Sequence, residues 1–174
     1  MSPKIPLPSD AELSTEAREM LAALPPLNVF RMMANAPASF KPLVEFATSV
    51  LFGSLLDPRK REIAILRVAH VTGSEYEWVQ HIALSKHARL ADAEIAAIRV
   101  SGPVTGLDAE GRLLCRTADE ISRDVRLSDE ALQQILDRYG VRQATELILC
   151  CGYFNMLSRF LESTRVELES TPVL

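Results

Sequence analysis

Seven apolar residues, Ile63, Ala64, Ile65, Leu66, Val68, Ala69 and Val71, fall within one short stretch of this chain. At helical spacing they wrap nearly the whole circumference, and a helix apolar all round has to be buried. That feature excludes a thin amphipathic sheet and demands a helical core with partners on every side. Asp57-Pro58 supplies a cap and a first-turn proline, and Gly73-Ser74 separates the helix from a second one. Glu62 lies at the mouth of the buried helix. On the second helix Glu77 and His81 are four apart and so stack on one face. An antiparallel partner of Glu62 falls near Ser85, so His81 is offset by about 6 Å along the axis, within side-chain reach.

The remaining chain reads as helix throughout. Prolines 3, 6 and 8 make residues 1–10 an extended arm. A first helix starts after Ser14 and stops at Pro25-Pro26, and a short turn carries Val29, Met32 and Met33. Pro37 opens a helix over residues 37–55, with Pro42 a candidate kink. Further helices run from Asp108 to about residue 125 and from Ser128 to Tyr139, closed by Gly140. The last helix spans about residues 142–167 and is nearly all apolar from Leu147 to Leu161. No stretch alternates as a strand does. The expectation is an all-α bundle of roughly eight helices. At 174 residues the chain suits one domain, residues 1–174, with room for a proper core.

Composition narrows the function. A net charge of −4, with Arg59-Lys60-Arg61 as the only basic cluster, argues against nucleic acid. No apolar run is long enough to span a bilayer, and the N-terminus has no export signature. Cys115, Cys150 and Cys151 are odd in number, and Cys150 and Cys151 are adjacent on a helix, a poor disulfide geometry. A cytoplasmic home follows.

The stretch from Arg61 to His81, R-E-I-A-I-L-R-V-A-H-V-T-G-S-E-Y-E-W-V-Q-H, resembles the signature of the carboxymuconolactone decarboxylase and AhpD-like superfamily. In its peroxidase branch a glutamate is followed by a C-x-x-C pair and then a histidine. Glu62 matches the glutamate and His81 the histidine, while Ser74 and Glu77 occupy the two cysteine positions. The wording S-E-Y-E-W-V-Q-H is similar instead to the decarboxylase-like branch. The likeness runs over residues 6–167 and includes L-P-P-L-N-V-F-R-M-M and Y-F-N-M-L-S-R-F. It implies an AhpD-like helical bundle assembled as a homo-oligomer, a trimer or hexamer. It also implies a lyase without cofactor or metal, acting on a small carboxylated or lactone metabolite. The alternatives are a thiol peroxidase without the family's thiol pair, or an oligomeric binding protein without turnover.

On that reading His81 is the proton carrier, with Glu62 and Glu77 its tuning partners. An imidazole beside a carboxylate both takes and gives protons. Ser74-x-x-Glu77 also reads as a capping box, which would occupy one Glu77 oxygen and leave the other free. Tyr76 is placed to pack or to line a pocket. Asn155 and Arg159, one turn apart, can anchor a substrate carboxylate or simply be an interface or surface pair. His70 and His87 read as locally bonded. A set of Glu62, Glu77 and His81 has donors suited to a metal, but no second histidine stands at helical spacing from His81.

Overall fold

The computed structural model describes residues 4–170, all of whose regular structure is helical. The helices are α1 (Thr15–Ala23), α2 (Asn28–Met33), α3 (Pro37–Phe52), α4 (Pro58–Thr72), α5 (Glu75–His87), α6 (Asp92–Ile98), α7 (Ala109–Asp124) and α8 (Asp129–Thr164). Residues 1–3 of the expected arm lie outside the described part. From Lys4 to Ser9 the chain has no helix and is tied down by Asn35 and Arg31, which donate to the Pro6 and Pro8 carbonyls.

The start and stop signals act as short-range chemistry requires. Ser14, Asp57, Asp108 and Ser128 each accept a backbone N–H from the first turn they precede. Gly140, at φ 68 and ψ 171, breaks α8 into segments 129–139 and 141–164. α3 continues through Pro42 and ends three residues earlier than expected, and α8 ends at Thr164 rather than 167. The second difference has a cause. Arg165 turns left-handed, and the tail runs back to the N-terminal arm, where Ile5 N–H donates to the Thr164 carbonyl.

α4 is the centre of the bundle, packed against α5, α7, α8 and α6. Ile63, Ala64, Ile65, Leu66, Val68 and Ala69 are all essentially inaccessible. Three charged residues are buried in the same helix, Arg61, Glu62 and Arg67. Arg67 is fully enclosed and binds Asp119 of α7 through two bonds of 2.6 and 2.9 Å. Its remaining donors hold the carbonyls of Ile98, Val100 and Gly102, fixing the loop after α6. The apolar stripe of the last helix is likewise mostly interior: Phe154, Leu157 and Leu161 are buried, leaving Leu149 and Met156 partly open. The most exposed aromatic residue is Phe52, 79% accessible, at the end of α3.

Candidate functional site

The turn between α4 and α5 determines which way the polar residues face. Gly73 takes φ 74, and the Ser74 N–H donates back to the Ala69 carbonyl, closing α4 in the manner of a Schellman turn. That bond removes the N–H a capping box needs. The box expected from Ser74-x-x-Glu77 is therefore not formed: the Ser74 hydroxyl is buried and makes no hydrogen bond, and Glu77 turns inward. One Glu77 oxygen accepts from the Ser158 hydroxyl of α8 at 3.1 Å, and the other is buried with no partner. Burial, reinforced by the charge of Glu162, holds the Glu77 carboxyl well above the ordinary carboxylate range despite the Ser158 bond. Burial thus favours the protonated form, a donor rather than a base, to higher pH than for an ordinary carboxyl.

His81 has a different partner. Its Nδ1 lies 2.8 Å from Oε2 of Glu62, with both side chains almost wholly buried. The axial offset expected from spacing is thus crossed directly. The Phe154 ring stands edge-on to the imidazole at 4.9 Å and fixes its plane. A carboxylate only accepts, so the bond sets the proton on Nδ1 and leaves Nε2 as the reactive nitrogen. Glu77 makes no hydrogen bond to His81. Its hydrogen bond goes to Ser158 instead, so any tuning of His81 by Glu77 is not by direct contact.

Both residues line a chamber of about 220 Å³ enclosed by α2, α3, α5 and α8. Its wall is apolar, with Phe30, Val44, Leu51, Tyr153 and Leu157 prominent, and contains no lysine or arginine. Tyr76 and Gln80 complete it. The Tyr76 hydroxyl accepts the Val29 N–H and donates to Glu169 at 2.6 Å, so it is bound to the tail while its ring faces the chamber. Asn155 and Arg159 do not line this space. Asn155 donates to Ser122 of α7 and accepts from Arg159, so the substrate-anchoring role expected for the pair is not supported by where they lie. His87 is bonded within its own helix, to the Ala83 carbonyl, whereas His70 reaches the Val100 carbonyl in the loop after α6. Glu62 borders a second, more open groove of about 660 Å³ with Arg61, Asp57, Ser54 and His87.

The cysteines sit in the core, Cys150 close enough to Glu62 and Glu77 to feel their charge. Cys115, Cys150 and Cys151 are all buried and free. Burial pushes the Cys115 and Cys151 thiols up to about 12 and Cys150 well above its usual value. Among the described residues no group of three or more His, Cys, Asp or Glu could hold a metal ion, and no helix is long and apolar enough to cross a membrane. Two residues of consequence carry no site reading from sequence: Ser158, the partner of Glu77, within the apolar last helix, and Arg61, noted only as part of the Arg59-Lys60-Arg61 cluster. Only their three-dimensional neighbours identify them.

Residues 37–115 match the family model described as the carboxymuconolactone decarboxylase family. No curated protein matches the chain significantly. Three solved structures resemble it in fold. One is an uncharacterised peroxidase-related protein from Silicibacter sp. TM1040, with TM-score 0.79 and 18% identity over 98% of this chain and 94% of that one. The second, described as an alkylhydroperoxidase AhpD core and an uncharacterised peroxidase-related protein, is from Ralstonia eutropha JMP134, with TM-score 0.82 and 14% identity over 98% and 95%. The third is a protein of unknown function from Agrobacterium tumefaciens, with TM-score 0.65 and 19% identity over 78% and 93%.

Proposed function

We propose that the chain, whose residues 37–115 match the model of the carboxymuconolactone decarboxylase family, is an acid–base enzyme of that superfamily, a lyase acting on a small carboxylated or lactone metabolite. The observation that carries this reading is the buried 2.8 Å bond between His81 Nδ1 and Glu62 at the wall of an apolar chamber. Loss of CO₂ leaves the bonding electron pair on carbon, delocalised as an enolate. Protonated His81 then delivers a proton from Nε2 to that carbon, and Glu62 stabilises the imidazolium before delivery. Glu77, whose carboxyl burial biases toward the protonated form, is in that form a hydrogen-bond donor suited to the oxygen on which charge develops. With no lysine or arginine in the wall, the chamber favours a transition state whose charge is spread over one that is concentrated.

A chamber of about 220 Å³ is larger than the roughly 150 Å³ that accommodates benzene, so one ring with a few substituents fits. Thiol peroxide chemistry finds little support, since the three thiols are buried and held protonated. The protein assembles as a homo-oligomer, a trimer or hexamer, which would cover the exposed Phe52 and Leu55. The test is CO₂ release from a panel of small lactone and keto acids. His81→Ala and Glu62→Gln are each expected to lower turnover by roughly 10²–10⁴-fold with the fold intact. Tight binding of panel members without turnover would make the chamber a binding site only.

A further inference from the structure

The groove on the far side of Glu62 holds a cation whose Nε the protein leaves without a hydrogen bond. The Arg61 side chain is 9% accessible, and its guanidinium makes no hydrogen bond among the described residues. Its Nε is sealed from solvent, and the nearest acid, Oε1 of Glu62, stands 3.9 Å away. An arginine side chain nine-tenths out of water, its Nε sealed and without a hydrogen bond, is a costly arrangement for a protein to keep. The acids nearby are already committed. Glu62 Oε2 is bonded to His81, and Asp57 accepts the N–H groups of Arg59 and Lys60. The rest of the groove is largely apolar, with Leu51, Phe52, Leu55 and Leu84. Leu51, Phe52 and Leu84 also face the chamber, so one wall serves both spaces.

Building on the acid–base reading of Glu62 and His81, we infer that Arg61 is the anion-recognising residue of this site. It takes a spectator carboxylate of the substrate on its planar fork, bidentately, while the substrate's apolar body lies along the Leu51–Leu84 wall toward His81. The two spaces divide the ligand: the anion goes to the only one of them lined by an arginine. The bound carboxylate is not the one lost. An ion pair to the departing group would stabilise the ground state and disappear with the CO₂, raising the barrier. The substrate class is therefore an amphipathic acid with a carboxylate handle separate from its reacting group.

The probe is cyclohexanecarboxylate, with cyclohexanecarboxamide as its neutral twin, titrated into the intact protein. Binding is followed by the NMR signal of the Arg61 Nε–H. The carboxylate should shift that signal saturably and the amide should not. Arg61→Gln should weaken carboxylate binding about tenfold or more, and Arg61→Lys less, since it keeps the charge but loses the fork. His81→Ala should bind the carboxylate as wild type does, which separates this claim from the acid–base reading. Loss of turnover in His81→Ala with no carboxylate response at Arg61 would leave the catalytic reading standing and overturn the subsite. An equal response to the amide would also overturn it. So would a change of assembly mass in Arg61→Gln without carboxylate binding, because Arg61 would then pair with another subunit. Should Arg61→Gln fail to fold, the wild-type titration and Arg61→Lys decide the matter alone.

Discussion

Glu77 offers a test that needs no substrate. In the unfolded chain it titrates near 4.5, whereas in the fold burial holds the carboxyl protonated to well above that value. The native state therefore binds one proton more than the unfolded state across the interval between the two pKa values. Stability from this group is fully present below about pH 4.5 and is lost as pH rises through the native pKa. The slope is about −1.4 kcal/mol per pH unit for one proton. Glu77→Gln removes the titration while keeping the shape and an oxygen to accept from Ser158. At pH 4 the side chain is neutral in both proteins, and their stabilities should nearly coincide. Above that, the variant should become progressively the more stable, the gap widening by about 1.4 kcal/mol per unit until the native pKa is passed. Urea unfolding of both proteins at half-unit steps from pH 4 to 8 measures the gap directly, because every other titrating group cancels in the difference. Parallel curves, or a variant that loses ground as pH rises, would show that Glu77 is ionised in the fold.

Four further outcomes are expected. Arg67→Ala should destabilise the protein by about 3–5 kcal/mol in thermal or urea melts, since it strips a partner from Asp119 and frees the loop carbonyls. Val125, 87% exposed at φ 68, is a β-branched residue in left-handed backbone, so Val125→Gly should raise stability by about 1 kcal/mol in the same assay. Size-exclusion chromatography with light scattering should give three or six times 19.3 kDa, and a clean monomer would contradict the assembly. Native protein should resist thiol labelling at all three cysteines, and Cys150→Ser should leave any peroxide consumption unchanged in a dithiol-coupled assay.

What could be read from the sequence follows how local the underlying physics is. Caps are decided within a turn, so Ser14, Asp57, Asp108, Ser128 and Gly140 punctuate the chain where their chemistry says they should. The buried helix α4 follows from its apolar periodicity; antiparallel spacing alone sets Glu62 opposite Ser85, and it is the resemblance to the family signature that joins Glu62 to His81. Glu77 marks the limit. Its local pattern offers a capping box, but the Schellman turn at Gly73-Ser74 takes the required N–H, and Ser158, far off in the chain, receives the carboxyl. Arg67 is the same lesson in the core. A charge in an apolar helix is accommodated only because Asp119 and three loop carbonyls converge on it, and no neighbour in sequence foretells that. Asn155 and Arg159 looked like a carboxylate anchor because they are one turn apart; the rotation of α8 directs Asn155 to α7 instead.

The central claim is that His81 hands a proton to carbon. It is tested most directly by running decarboxylation of a substrate found in the panel in D₂O and locating deuterium in the product by mass spectrometry and NMR. Wild type should release product with a single deuterium at the carbon that lost CO₂, delivered to one face. His81→Ala, folded by circular dichroism, should form that product roughly 10²–10⁴-fold more slowly. Undiminished turnover in His81→Ala, with deuterium still delivered to one face, would contradict the assignment of His81 as the acid.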